Sequence, residues 1–430
     1  MVLRLQNVKG TRDYLPSEQI IRNKVRQVCE ETFECYGCKS LETPILNMYD
    51  LMAYKYGGGA EILKEVYRLT DQGDRDLALR YDLTIPFAKV IGMNPTLKLP
   101  FKRYEIGKVF RNGPIKTGRY REFTQCDVDV VGIQSVSAEA ELMSMAVEIF
   151  EKLGLEVTVQ FNNRKLLVGL LEEFEVSQNQ LEETILILDK VEKIGVNGIV
   201  KELTDIGIRV DTIATIKQLF MSNEPKTISY FQSNFSNPTL QEGIRELLEL
   251  ETYLQALDVI NQSEFNPFLA RGLSIYTGTI YEIFLKDGSI TSSIGSGGRY
   301  NYIIGSFLED GNEYPAVGIS IGLDVVFNAL LQKQQAPENL LDILIIPLGT
   351  LDTCLTLGKA LRNNGYRVEI EQINRKLKRS LHYADKENIP FVLIIGENEI
   401  QNQVAVVKNM KTSSEQLVSI PNLITYNFSN

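Results

Sequence analysis

The chain has 430 residues, 44% hydrophobic and 23% charged, so two or three soluble globular domains are expected rather than one core. Its formal net charge of −10 excludes a protein that coats nucleic acid indiscriminately, but not local basic patches that meet phosphates. No apolar run is long enough for a transmembrane helix, and MVLRLQNVKGTRDYLP has neither the apolar stretch nor the cleavage site of a secretory signal, so no membrane association and a cytoplasmic protein are expected.

Residues 17–36 read as a helix: Pro16 suits its start, Ile20, Ile21, Val25, Val28 and Phe33 make an apolar stripe, and Gly37 stops it. Cys35 and Cys38 form a CxxC motif, but the five cysteines offer no second pair at zinc spacing and the single histidine, His382, is remote. No metal site is expected there, and chemistry must run on Arg, Asp, Glu and substrate groups.

Extended segments follow at 40–46, 77–85 and 101–111. In LALRYDLTIPF (77–87), Arg80, Asp82 and Thr84 share one face of an alternating pattern, and Leu79, Tyr81, Leu83 and Ile85 the other. Arg111 ends the third segment, ahead of the Gly/Pro loop NGPIKTGR (112–119). This arrangement suits a phosphate clamp, although an arginine at a strand end is usually a surface salt-bridge partner. In REFTQCDVDVVG (121–132), Arg121, Phe123, Gln125, Asp127 and Asp129 alternate with Thr124, Cys126, Val128 and Val130. Two readings stand: solvated antiparallel strands, or one concave antiparallel sheet whose polar face is a substrate floor. In the second, carboxylates suit an ammonium and an imidazole, and guanidinium groups suit a carboxylate and phosphates.

A helix is expected at 137–153. Residues 170–260 read as a largely helical insertion, 270–322 as a Gly-rich β region, and 331–340 as a polar linker. Beyond it DILIIPL, YRVEIE and FVLIIG alternate with helical patterns at 351–364 and 376–388, which predicts a small α/β domain with a parallel sheet. The domains are therefore 1–330 and 341–430. The basic runs KTGRYR (116–121) and NRKLKR (374–379) are either solvated faces or phosphate contacts.

In combination these segments resemble histidyl-tRNA synthetases over nearly the whole chain. KGTRDYLP (9–16) looks like the family's N-terminal signature and RYDLT (80–84) its amino-acid-binding strand. FRNGPIKTGRYREFTQCDVDVVG (110–132) resembles class II motif 2, and ARGLSIYTGTIYE (270–282) the histidine-specific segment. GSGGRY (295–300) with YPAVGISIGLD (314–324) is similar to the run into motif 3, and NRKLKRSLHYADKENIPFVLIIG (374–396) to the anticodon-binding domain.

The resemblance implies an α+β fold: a six- or seven-stranded antiparallel sheet flanked by helices, a helical insertion and an α/β anticodon-binding domain. It also implies a homodimer with 17–46 at its interface. The implied activity is ATP-dependent ligation of L-histidine to tRNA(His) through histidyl-adenylate, with Mg²⁺ on the ATP phosphates. Arg111 and Arg271 take the catalytic roles at the α-phosphate; Asp82, Thr84 and Gln125 hold the ammonium group; Asp129 and Tyr276 bind the imidazole. Arg119 and Arg121 join Arg111 and Arg271 on ATP, and Arg375, Lys376 and Lys378 contact tRNA.

Two departures from the family pattern stand out. RGLSIY replaces RGLDYY through Ser274 and Ile275, and in GLDVVF Val325 occupies the position of the motif 3 arginine, after Asp324 in place of Glu. Either another cation, Arg119 or Arg299, supplies the missing charge, or ATP use is impaired; Arg121 and Arg299 could equally be structural. The rival functions are a histidine-binding regulatory subunit of the ATP phosphoribosyltransferase type and a tRNA sensor.

Overall fold

In the computed structural model, the described residues are 5–54, 60–115, 118–270, 275–333, 340–373 and 375–428. The chain divides into two compact units, Met1–Gln335 and Ala336–Asn430.

The first unit is built on the hairpin Phe101–Phe110 and Glu122–Val131, whose ladder runs from Phe101 opposite Val131 to Phe110 opposite Glu122. Glu122–Val131 pairs on its other side with Ala316–Gly322, which continues through Gly295–Arg299 and Thr279–Leu285 to Val157–Asn163, all antiparallel. Two short parallel strands, Lys39–Ser40 and Ser263–Phe265, close the edges and bring the sheet to eight strands rather than six or seven. One face is apolar. Cys126, Val128, Val130, Val317, Ile319 and Ile321 pack there with helices Pro16–Cys35, Ser137–Lys152 and Leu323–Gln332. Gly37, with φ +74, turns the chain out of the first of these.

The reading of 77–87 as one continuous alternating strand is corrected. The strand covers only Asp76–Leu79 and lies in a separate three-stranded sheet between Leu46–Met48 and Arg68–Thr70. A helix, Thr84–Met93, begins five residues later. The Asp82 carboxylate accepts from the Ile85 N–H at 3.0 Å, satisfying a first-turn donor, and Pro86 sits where no intrahelical N–H is needed. Arg80, Asp82 and Thr84 therefore do not share a strand face. Arg80 turns inward to Glu105 at 2.6 Å, while Asp82 and Thr84 sit at the helix start facing the sheet.

The expected insertion at 170–260 divides. Helices Leu181–Leu188, Val191–Asp205 and Val210–Met221 surround their own core with Leu167 and Leu171. Phe231, Leu240, Ile244, Leu247 and Leu250, by contrast, belong to the main core. Helix Pro238–Ala256 approaches Arg164–Glu173 so closely that a Cβ at Gly169 would lie 2.3 Å from the Leu240 nitrogen.

The second unit is a five-stranded sheet in the order Val368–Ile370, Ile343–Leu348, Phe391–Gly396, Val404–Asn409, Glu415–Ser419. The first three strands are parallel, as the strand–helix alternation predicts, and the last two are antiparallel, which corrects the all-parallel expectation. A short turn joins those last strands; the Asn409 side chain caps it by accepting from Lys411 and Thr412 N–H groups. A connection that short permits only antiparallel pairing. Of the expected linker 331–340, the first two residues end helix Leu323–Gln332 and 334–339 lie outside the described residues.

Candidate active site

The face of the large sheet opposite its apolar core carries two adjoining cavities. Strand alternation places Phe123, Gln125, Asp127 and Asp129 on this side, and pairing sets their neighbours. Asp129 stands between Arg103 and Gly318, Asp127 between Glu105 and Ser320, and Gln125 between Gly107 and Gly322. The small residues of Ala316–Gly322 and Gly295–Arg299 keep the floor low. A Cβ on Gly318 would lie 2.1 Å from Asp129 Oδ1, and one on Gly298, at φ +157, 2.8 Å from the Tyr276 ring.

The first cavity, about 450 Å³, brings together Asp82, Thr84, Gln125, Asp127, Asp129 and Tyr276. At its deep end Asp129 forms an ion pair with Arg103 (Nη2 to Oδ2, 2.6 Å) and accepts from the Tyr300 hydroxyl. Arg103 is fully buried, donates to the Leu83 carbonyl at 2.9 Å and lies over the Phe87 ring at 4.6 Å. Burial alone would lower its pKa, but Asp129, Asp127 and Glu105 outweigh this and raise it. Burial pushes the Asp127 carboxyl up to about 8; Asp129 and Asp82 add to the shift, and Arg103 and Ser320 oppose it. Gln125 donates from Nε2 to Ser320 Oγ at 2.6 Å.

The second cavity, about 310 Å³, shares Tyr81, Arg111, Arg119, Gln125, Ser296 and Ser320 with the first, so the two form one continuous groove. Arg111 stands at the junction. Its guanidinium stacks on Tyr81 at 4.2 Å and Phe123 at 5.1 Å, and its Nε donates to the Tyr81 carbonyl at 3.2 Å. The Tyr81 hydroxyl donates to Glu65 at 3.0 Å and is pushed up to about 12 by burial.

At the far end Asp324 is buried and accepts from Tyr14, from Arg22 and from the Thr124 N–H at 2.7 Å. It ties the N-terminal segment and the floor strand to the start of helix Leu323–Gln332. Val325 is half-buried in the cavity wall beside Gly118 and Gly322. Of the two cations expected to replace an arginine here, Arg119 lines both cavities. Arg299 does not reach them as a free charge, which corrects that alternative. Its Nε and Nη2 both meet buried Glu139 at 2.6 Å, and it also donates to the Ile133 and Ser135 carbonyls. The Arg121 side chain lies over Gly10, its backbone N–H donates to the Gly10 carbonyl at 2.7 Å, and it is not in the wall of either cavity. Arg271 and Ser274 lie outside the described residues.

Three residues of the site received no role from the sequence: Arg103, Asp127 and Tyr300. The same-face alternation displays Asp127, and KRYEI displays Arg103 with Glu105, but nothing local marks Tyr300, which arrives from a distant strand end. In the second unit Arg375 is engaged by Glu371 at 2.8 Å and lies over Tyr383, whereas Lys376 and Lys378 are exposed around the start of helix Leu377–Lys386. Cys38 is buried, its thiol pushed up to about 11 by that burial, which suits an inert core thiol.

A groove with three carboxylates in its first cavity, and with two guanidinium groups and an amide where its two cavities meet, is suited to joining an amino acid to a nucleotide. The family model described as histidyl-tRNA synthetase matches residues 10–326, and one described as anticodon binding domain matches 342–427. Histidine–tRNA ligase 1 of Bacillus cereus (strain ATCC 10987 / NRS 248) is 58% identical over 429 residues, covering 100% of this chain and 98% of that one. Histidine–tRNA ligase 2 of Shouchella clausii (strain KSM-K16) is 52% identical, covering 96% and 98%. The crystal structure of histidyl-tRNA synthetase from Nostoc sp. PCC 7120 superposes with a TM-score of 0.85 at 28% identity, covering 99% of each chain. The chain belongs to the histidyl-tRNA synthetase family.

Proposed function

We propose that the protein is a histidine–tRNA ligase that joins L-histidine to tRNA(His) through histidyl-adenylate, releasing AMP and pyrophosphate. One observation carries this reading beyond kinship: the cavity lined by Asp82, Asp127 and Asp129 meets the cavity lined by Asp324 and Val325 at Arg111, Arg119 and Gln125, which belong to both. An amino acid and a nucleotide bound side by side would meet at that junction. The substrate carboxylate attacks the α-phosphorus there, and the negative charge of the transition state falls beside the Arg111 fork. Arg271 would act on the other side of the phosphate, and Arg119 on the phosphate chain.

Asp82, Thr84 and Gln125 would hold the ammonium group, and Asp129 and Tyr276 the imidazole. An apolar competitor of similar size would leave buried polar groups around Asp129 unmatched, at a cost of about 1–3 kcal/mol per group. Mg²⁺ would enter on the ATP phosphates and screen them. Among the described residues no cluster of three His, Cys, Asp or Glu side chains could hold a metal by itself.

The second unit would bind tRNA, with Lys376 and Lys378 as phosphate contacts and Arg375 partly committed to Glu371. A homodimer fits the exposed apolar side chains Leu15, Ile45, Leu46 and Met48, next to helix Pro16–Cys35 and along strand Leu46–Met48. Among the described residues no helix is long and apolar enough to cross a membrane, and we place the activity in the cytoplasm. A regulatory subunit or tRNA sensor is not favoured, because full-length identity to ligases reaches 59%. The test is histidine-dependent exchange of labelled pyrophosphate into ATP, followed by charging of tRNA(His). Folded protein that shows no exchange at saturating histidine would refute the proposal.

A further inference from the structure

Around the floor strand three carboxylates face two guanidinium groups. Arg80 lies 2.6 Å from Glu105, and Arg103 lies 2.6 Å from Asp129 and 3.7 Å from Glu105. Asp127 is only 2% exposed, yet its Oδ1 has no hydrogen-bond partner among the described residues. The same holds for Oε1 of Gln125, whose amide nitrogen is used on Ser320. The two acceptors stand two residues apart on one strand face, about 7 Å between backbones, and both side chains line the first cavity. Burying an acceptor without a donor is costly, and Arg103, already paired with Asp129, offsets the Asp127 charge only in part. The geometry therefore calls for a compact cation with several N–H donors above this part of the floor.

Resting on the ligase reading, we propose that Asp127 is a direct acceptor for the α-ammonium group of bound histidine, beside Gln125 and Asp82. Its position along the strand favours the ammonium over the ring. Gln125, one step nearer the junction, lies where the substrate carboxylate must meet the nucleotide. Asp129, one step deeper, lies against Tyr300 and Arg103 at the end that would take the imidazole. The α-nitrogen is one bond from the carbon that carries the carboxylate, so it falls between them.

The groups facing Asp127 are Arg103 and Glu105 across the hairpin, Asp129 on its own strand, Ser320 on the other neighbour, Asp82 at the helix start and Tyr300. With its carboxyl at about 8, the free pocket holds Asp127 largely protonated at pH 7. Arrival of the ammonium ionises it, and the proton leaves to solvent.

The test is calorimetric titration of wild-type and Asp127→Asn protein with L-histidine and with imidazole-4-propanoate, which lacks the amine. Each titration is run at pH 7 in two buffers of different ionisation enthalpy. Asp127→Asn should weaken histidine binding about 10- to 100-fold, the loss of a charge-assisted hydrogen bond. It should leave the des-amino ligand within about twofold. Histidine-linked proton release should be smaller in the variant than in wild type. Equal weakening of both ligands, or no weakening of histidine, would overturn the assignment. If Asp127→Asn fails to fold, Asp127→Ser runs through the same arms. Wild-type protein that neither binds histidine nor exchanges pyrophosphate would instead sink the ligase reading itself.

Discussion

Replacing Arg103 with methionine tests whether the floor is held by charge. Arg103 is fully buried and serves Asp129 at 2.6 Å, Glu105 at 3.7 Å and the Leu83 carbonyl at 2.9 Å. Methionine keeps much of the contact with Phe87 but leaves buried carboxylates without their cation. Breaking a buried pair from one side costs about 3–5 kcal/mol, and this is the expected loss at about pH 9. The loss should shrink in acid, for a reason whose sign is set by Asp127. That carboxyl already titrates at about 8 in the fold, above its unfolded range near 3.9, and Arg103 is the cation that restrains it. A carboxyl raised in this way favours the fold at low pH and loses that contribution as pH rises through its folded value. Without Arg103 the folded value moves higher still. Both proteins hold this carboxyl protonated at about pH 5.5 and lose stability in parallel up to about pH 8; above it the extra loss in the variant grows by up to about 1.4 kcal/mol per pH unit. The chain has no tryptophan, so urea unfolding is best followed by circular dichroism, at about pH 5.5 and about pH 9. A loss under about 1 kcal/mol at the higher pH, well below the range for a broken buried pair, or an equal loss at both pH values, would refute the argument.

Gly318→Ala would place a methyl group 2.1 Å from Asp129 Oδ1, so the carboxylate must move. Pyrophosphate exchange should show KM for histidine rising roughly tenfold, equivalent to about 1.4 kcal/mol, with KM for ATP little changed. Arg299→Met strands Glu139, which is fully buried, and should cost about 3–5 kcal/mol in denaturant unfolding. Because Arg299 is committed to that pair, KM for ATP should not rise in the surviving folded protein; a large rise would return Arg299 to the phosphate site. Changing Lys376 and Lys378 together to Gln should weaken tRNA binding and flatten its dependence on log salt by about 1–2. Exchange of pyrophosphate should be untouched, and an unchanged salt slope would remove these lysines from the tRNA surface.

Much of the site was legible because strand alternation is a local signal. The order Phe123, Gln125, Asp127, Asp129 could be assigned to one face from 121–132 alone, and the structure puts all four on that face. The same logic failed at 77–87, where alternation was present but Asp82 capped a helix turn through Ile85 and ended the strand early. A two-residue period and the start of a helix look alike over so few residues. Strands Val404–Asn409 and Glu415–Ser419 carry no such mark in the sequence, because they are joined by a tight polar turn rather than by the helices that set off their neighbours.

What the sequence by itself determined was composition of the pocket: which side chains alternate, where Arg111 ends a strand, that Val325 cannot bind a phosphate. Pairing between distant segments decided the rest. Only the register of Asp129 with Arg103, and the approach of Tyr300 from beyond Gly295–Arg299, showed that this carboxylate is supported on both sides. Only the same packing showed that Asp127 is not. Charges that lie far apart in the chain acquire partners when the fold removes them from water, so pairing, burial and the lack of a partner are properties of the assembled sheet.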